Sequence, residues 1–290
     1  MAYIYLLMAI ISSALLSIIG SIFNKKNAAY SGFSMLYNFI LIGSACLVWG
    51  MIYISDFSFD VGVLPYSLGY GIMYALALIF LFKALECGPV SLTAMIKSIS
   101  IITPSLWGFF FWGDTPTPLI VIGFVLVLLS LILCFAEKRK KGERGIPLKW
   151  FFYIITLAAT NGGTLIVQKY QQRAFDGAHK NMLMFFATLL AALICLVFFL
   201  VGRKKNTLPA SALKKSFYLP IIAGGGSATL NLLLMLLIPL LPGALIYPAI
   251  AVGALIITTL FSALACKERL RPMQWAGLGV GAIALVFLNL

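Results

Sequence analysis

An all-α membrane protein, built as ten transmembrane helices in two inverted five-helix repeats, is the fold class this sequence predicts. Three observations carry the expectation. The chain of 290 residues is 62% hydrophobic and only 10% charged, where a water-soluble domain carries about 25% charged residues. Its apolar residues come in successive runs of roughly 20, each able to cross about 30 Å of hydrocarbon as a helix. They do not show the alternating ten-residue pattern of a membrane β-barrel. A strongly basic central loop then divides the runs five and five, and the two sets match.

Taken in order, the predicted spans are residues 2–23, 32–54, 65–86, 89–112 and 117–136, then 150–170, 181–202, 217–239, 244–265 and 272–290. The first is closed by Asn24-Lys25-Lys26 and is not a cleaved leader: it lacks a basic start, exceeds the usual apolar core of one, and further spans follow it. An acidic loop with Asp56 and Asp60 follows the second span, and the third ends at Glu86-Cys87-Gly88. The turn Gly113-Asp114-Thr115-Pro116 joins the fourth to the fifth. Residues 1–136 thus form the first repeat, 137–149 a basic cytoplasmic linker and 150–290 the second repeat.

The duplication is read from ordered matches. Asn24-Lys25 corresponds to Gln168-Lys169, each pair closing a helix, and the hexapeptide at 34–39 (SMLYNF) corresponds to 181–186 (NMLMFF). Cys46-Leu47-Val48 corresponds to Cys195-Leu196-Val197. Asp114 stands nine residues before Gly123, as Glu268 does before Gly277, with the second pair 154 positions further on. An odd number of spans per repeat makes the halves inverted, the pattern of secondary transporters with a site near the midplane.

The net charge of +13 lies in short loops, the signature of cytoplasmic loops facing anionic lipid rather than of nucleic-acid binding. Odd-numbered loops hold seventeen Lys and Arg residues against three in the even loops and termini, which places both termini outside. The five cysteines are scattered in or at the ends of apolar runs and read as packing residues, and the single histidine, His179, cannot make a metal site with them. Neither a nucleotide-binding loop nor an H-E-x-x-H pair nor paired carboxylates occur in the spans, so the chain is not read as an enzyme and no cofactor is expected.

Polar residues inside spans are costly and are therefore the site candidates. In the fourth span Thr93, Lys97, Ser100, Pro104 and Trp107 recur at spacings of 4, 3, 4 and 3 and share one helical face. Lys97 either snorkels along its apolar stem to the nearer interface or faces a cavity. Pro104 has no N–H, so it frees the Ser100 carbonyl and breaks or bends the span. Pro248 is expected to break the ninth span in the same way. Asn161, Thr164 and Gln168 form a stripe in the sixth span beside Gly162 and Gly163, which allow close helix approach. Asn231, in the eighth span, serves either an interhelical hydrogen bond or a ligand. Glu86 is either an interfacial partner of Lys83 or a proton-coupling group, and Tyr74, Trp107 and Tyr247 are candidates for lining a pocket. The substrate-binding set is therefore Lys97, Ser100, Asn161, Asn231, Tyr247, Thr93, Tyr74 and Trp107.

The duplicated five-helix unit, the basic central loop, Pro104, and the helix ends Trp112-Gly113-Asp114…Gly123 and Cys266-Lys267-Glu268…Gly277 resemble the drug/metabolite transporter superfamily in its ten-helix EamA-like form. The likeness covers essentially the whole chain. It implies a secondary transporter that works by alternating access, with a cavity lined by spans 1, 3, 4, 6, 8 and 9. Superfamily substrates include amino acids and other metabolites, organic cations, sugars and nucleotide sugars, and efflux is a common task. The small multidrug members use a glutamate in the first helix, where this chain has Ser12, Ser13 and Ser17. Characterised ten-helix members commonly keep both termini in the cytoplasm, whereas the charge count here places them outside.

The expectation is a plasma-membrane secondary transporter of a small polar metabolite, an amino acid or related compound, acting as a monomer or homodimer in the lipid bilayer. The alternatives are a lipid-linked carrier flippase, or a non-transporting membrane receptor or scaffold.

Overall fold

Helices account for the regular structure throughout, and no strand occurs among the described residues. The structure is a computed structural model that describes residues 1–27, 33–87, 90–113, 117–135, 147–202, 217–265 and 272–289. Residues 137–146 of the linker, Asp114, and Cys266, Lys267 and Glu268 lie outside the described residues. The helices are α1 (Ala2–Asn27), α2 (Phe33–Ser55), α3 (Leu64–Cys87), α4 (Val90–Ser100), α5 (Thr103–Phe111), α6 (Pro118–Phe135), α7 (Leu148–Ala174), α8 (Lys180–Gly202), α9 (Tyr218–Leu237), α10 (Gly243–Ala265) and α11 (Pro272–Asn289).

Eight segments are long and apolar enough to cross a membrane: α1, α2, α3 with the turn before it, α4 and α5 together, α7, α8, α9 and α10. Two shorter apolar helices, Pro118–Cys134 and Pro272–Leu288, fall within α6 and α11. The chain is an all-α, multi-pass membrane protein. Every backbone polar group in hydrocarbon must be satisfied internally, which a helix does within its own segment.

Two expectations are corrected by the structure, and one is met. The fourth span is broken ahead of Pro104, as expected, into α4 and α5. At its break, the N–H groups of Ile101 and Ile102 reach back only three residues, to the carbonyls of Ser98 (3.3 Å) and Ile99 (2.9 Å). Pro104 falls in the first turn of α5, where its missing N–H costs nothing. Pro248, by contrast, does not break its helix: it sits inside a continuous α10. Its ring lies only a turn and a half from the start, where few intrahelical bonds are at stake. The sixth span is longer than 150–170, running as α7 to Ala174. Gln168 and Lys169 are therefore inside a helix and buried, not at its closing end.

Packing runs mostly between the helices before the central linker, α1–α6, and those after it, α7–α11. α3 lies on α7 as α1 lies on α9; α3 lies on α8 as α2 lies on α9; α1 lies on α10 as α4 and α5 lie on α7. The pairs α2–α8, α6–α11 and α5–α10 complete the set. Close approaches hold the crossings. Gly123 of α6 meets Leu288 of α11, while Gly277 of α11 meets Cys134 of α6. Gly71 of α3 meets the carbonyl of Ala187 and the side chain of Leu190, and Gly224 of α9 meets the carbonyl of Leu41 and the hydroxyl of Ser44. The Ser130 hydroxyl donates to the Gly277 carbonyl at 2.7 Å.

Beyond the apolar spans, the α2–α3 connection is tied to the start of α8. The Asn181 amide donates to the Asp56 carboxylate at 2.9 Å, and His179 Nδ1 lies 3.0 Å from the Ser58 hydroxyl. Cys46, Cys87, Cys134 and Cys195 are free thiols.

Candidate functional site

The face that carries Thr93, Ser100 and Trp107 turns toward α7, and α7 answers it residue for residue. Trp150 Nε1 donates to Thr93 Oγ1 at 3.1 Å. Asn161 Nδ2 donates to Ser100 Oγ at 2.7 Å. Trp107 Nε1 donates to the Tyr170 hydroxyl at 3.1 Å. The partners ascend together on the two elements, so α4 and α5 run parallel to α7. Gly162 lies between, against Thr103 and 3.1 Å from the Ser100 carbonyl as measured from where its Cβ would stand. Because residue 104 is proline, that carbonyl has no amide four residues on to accept from. Only a residue without a side chain lets α7 come this close.

Lys97 sits on the same helix and is not buried by this interface. Its side chain is exposed. α10 is buried at every position from Gly243 to Leu255 and partly accessible at every position from Ile256 to Phe261. The bundle is therefore sealed around the first half of α10 and encloses its second half less completely.

A second polar cluster joins α3 to α9. The Tyr70 hydroxyl donates to Asn231 Oδ1 at 3.0 Å, and Asn231 Nδ2 donates to the Ser227 carbonyl at 2.9 Å. The Tyr74 hydroxyl lies 3.3 Å from Ser227 Oγ. Tyr247 is buried among Leu233, Leu234 and Leu237 and lies close enough to Tyr70 to interact electrostatically. These are neutral groups, and Glu86 is remote from them, exposed at the C-terminal end of α3. Lys83 is directed not at Glu86 but over the rings of Phe80 and Tyr153, at 5.5 and 5.9 Å.

The structure thus brings Ser100, Asn161 and Thr93 together on the α4–α7 seam and leaves Lys97 exposed on α4 outside it. Asn231, Tyr74 and Tyr247 gather around α9. Trp107 stands apart at the far end of α7, Pro104 lines the break, and Pro248 is buried in α10. Most of these polar groups already have protein partners.

The sealed end holds what sequence reasoning missed. Lys169 is only 7% exposed, with its ammonium 4.0 Å from the centre of the Trp112 ring. Trp112 also meets Tyr170 edge-on at 5.3 Å. The Ser105 hydroxyl donates to the Gly243 carbonyl at 2.8 Å, tying α5 to the first residue of α10. Immediately before Lys169, Gln168 is fully buried with neither amide atom hydrogen-bonded. The signal was present: Gln168 shares the stripe of Asn161 and Thr164, but the pair with Lys169 looked like a helix end. Among the described residues no three His, Cys, Asp or Glu side chains gather as metal ligands would.

No family model matches the chain, and no curated protein matches it. A crystal structure described only as that of a protein is similar in fold, with a TM-score of 0.69 and 16% identity over 99% of this chain and 95% of the other. At that identity the likeness speaks for the fold alone.

Proposed function

We propose that the protein is a secondary transporter of a small polar metabolite, an amino acid or related compound, working by alternating access in the ten-span, EamA-like manner. The observation that carries this reading is an asymmetry along α10, enclosed from Gly243 to Leu255 and partly accessible from Ile256 to Phe261, with Lys97 exposed in the α4–α5 span that packs on it. A scaffold needs neither.

The inverted repeat is supported by the reciprocal packing. Gly123 against Leu288 and Gly277 against Cys134 are the same contact under the 154-residue offset of the two halves. Tyr74 and Ser227 occupy matching places in α3 and α9 and touch each other, as groups near a pseudo-twofold axis do. In this reading α6 and α11 span as well, giving ten, and the broken α4–α5 span lines the path. The membrane of this reading is the plasma membrane, and the charge count supports both termini outside.

Lys97 attracts a carboxylate or phosphate, and the neutral hydroxyls and amides of α3, α7 and α9 meet the polar remainder. The described interior supplies no carboxylate to hold an organic cation, so the reading favours anionic or zwitterionic cargo. A charge-assisted hydrogen bond is worth roughly 1.5–3 kcal/mol, so Lys97→Ala should cut flux by about tenfold or more. The measurement is uptake of labelled amino acids, carboxylates and phosphorylated metabolites into proteoliposomes. Wild-type protein that moves none of them defeats the reading; unchanged flux in Lys97→Ala removes Lys97 from it.

A further inference from the structure

Gln168 is the one fully buried residue of the described chain whose amide nitrogen and amide oxygen both lack a hydrogen-bond partner. Its place on α7 explains why that matters. Leu165, on one flank, packs with Tyr247, Leu234 and Leu237, while Val167, on the other, packs beside Tyr70. The amide is wedged between those two clusters at the sealed end of the bundle. Beside it, the Trp112 indole N–H is buried and likewise has no acceptor. An amide without partners is costly in a dry interior, and more so at membrane depth, where water offers no relief. Leucine or methionine would fill the space without that cost.

We infer that Gln168 is a latent binding group of the transport path. While this end is closed its amide is stranded; when the end opens, the amide meets water and then the cargo. Its burial thereby biases the bundle toward opening, against the Lys169–Trp112 contact and the Ser105–Gly243 hydrogen bond that hold the end shut. The group it recognises must both donate and accept, as an amide, a hydroxyl or an amino acid head does. Lys97 selects charge at one end of the path, and Gln168 reads a neutral polar group at the other. The two lie on parallel elements, with Gln168 seven residues beyond the level of Asn161, or about 10 Å along the axis.

This inference rests on the transport reading, but its test does not need a substrate. Full-length protein is purified as wild type, Gln168→Met and Gln168→Glu, and amide hydrogen exchange is followed in the segment 243–255, together with the melting temperature. Gln168→Met removes the stranded amide, so exchange in that segment should slow about tenfold, equivalent to about 1.4 kcal/mol, and the melting temperature should rise. Gln168→Glu strands a charge, so exchange should quicken and the melting temperature should fall. Faster exchange in Gln168→Met, no change, or loss of its monodisperse fold overturns the inference, because each means that the amide supports the closed state or is indifferent to it. Slower exchange in Gln168→Glu overturns it as well. In proteoliposomes Gln168→Met should carry less flux than wild type; absent wild-type flux defeats the transport reading and leaves the exchange result to decide on Gln168.

Discussion

Ser100 and Asn161 illustrate how a polar residue in a membrane helix is spent on a neighbour before it is offered to a ligand. The 2.7 Å bond between them joins α4 to α7 just below the helix break. Interhelical hydrogen bonds in membranes average about 0.6 kcal/mol by double-mutant cycle. A cycle of Ser100→Ala and Asn161→Ala, read by thermal unfolding, should therefore return a coupling of about 0.6 kcal/mol. Zero coupling would mean that the pair is apart in the membrane. The sequence singled out both residues, since polar groups in apolar runs stand out. It did not pair them, because nothing in a linear string says that α4 and α7 run side by side. Gln168 was visible in the same way and was discounted, because a glutamine next to a lysine resembles a helix end.

At the scale of helices, the same proline chemistry has opposite outcomes at Pro104 and Pro248. The rule that proline removes a donor holds at both, but position decides the result. Pro104 follows a stretch already tightened to three-residue bonds and starts a new helix, whereas Pro248 falls near the start of α10 and is carried through. The approximate limits of the apolar helices and the break ahead of Pro104 were legible, because length, hydropathy and proline chemistry are local. The extra turn of α7 and the continuity of α10 through Pro248 were not, because packing and position set them. Helix contacts also separate adjacent glycines. A Cβ at Gly224 would overlap the Ser44 hydroxyl and the Leu41 carbonyl, whereas one at Gly225 would meet nothing within 4 Å. Gly224→Ala should destabilise the protein by about 1–3 kcal/mol, the usual range for overpacking, and Gly225→Ala should be close to neutral. Thermal unfolding of the two variants separates them; equal shifts would contradict the α2–α9 contact.

For the molecule as a whole, the two halves are not independent domains. The most extensive pairings, α6–α11, α3–α7, α2–α8 and α1–α9, each join one helix from either side of the central linker. Residues 1–136 and 150–290 expressed separately should fail to give a monodisperse protein, and co-expressed they should purify together. A first half that folds alone would refute the interleaved arrangement. Sequence matching proposes a duplication but presents the halves as blocks in a row, because it compares residues and not partners. Interleaving has a consequence for biogenesis. Ribosomes add about 5–20 residues per second, so once α1–α6 have been made, roughly ten to thirty seconds pass before the last of their partners emerges. Through that interval the nascent helices must sit in the membrane with their small-residue seams and buried hydroxyls exposed to lipid or to the insertion machinery. Assembly therefore depends on what shelters the first half while it waits for the second.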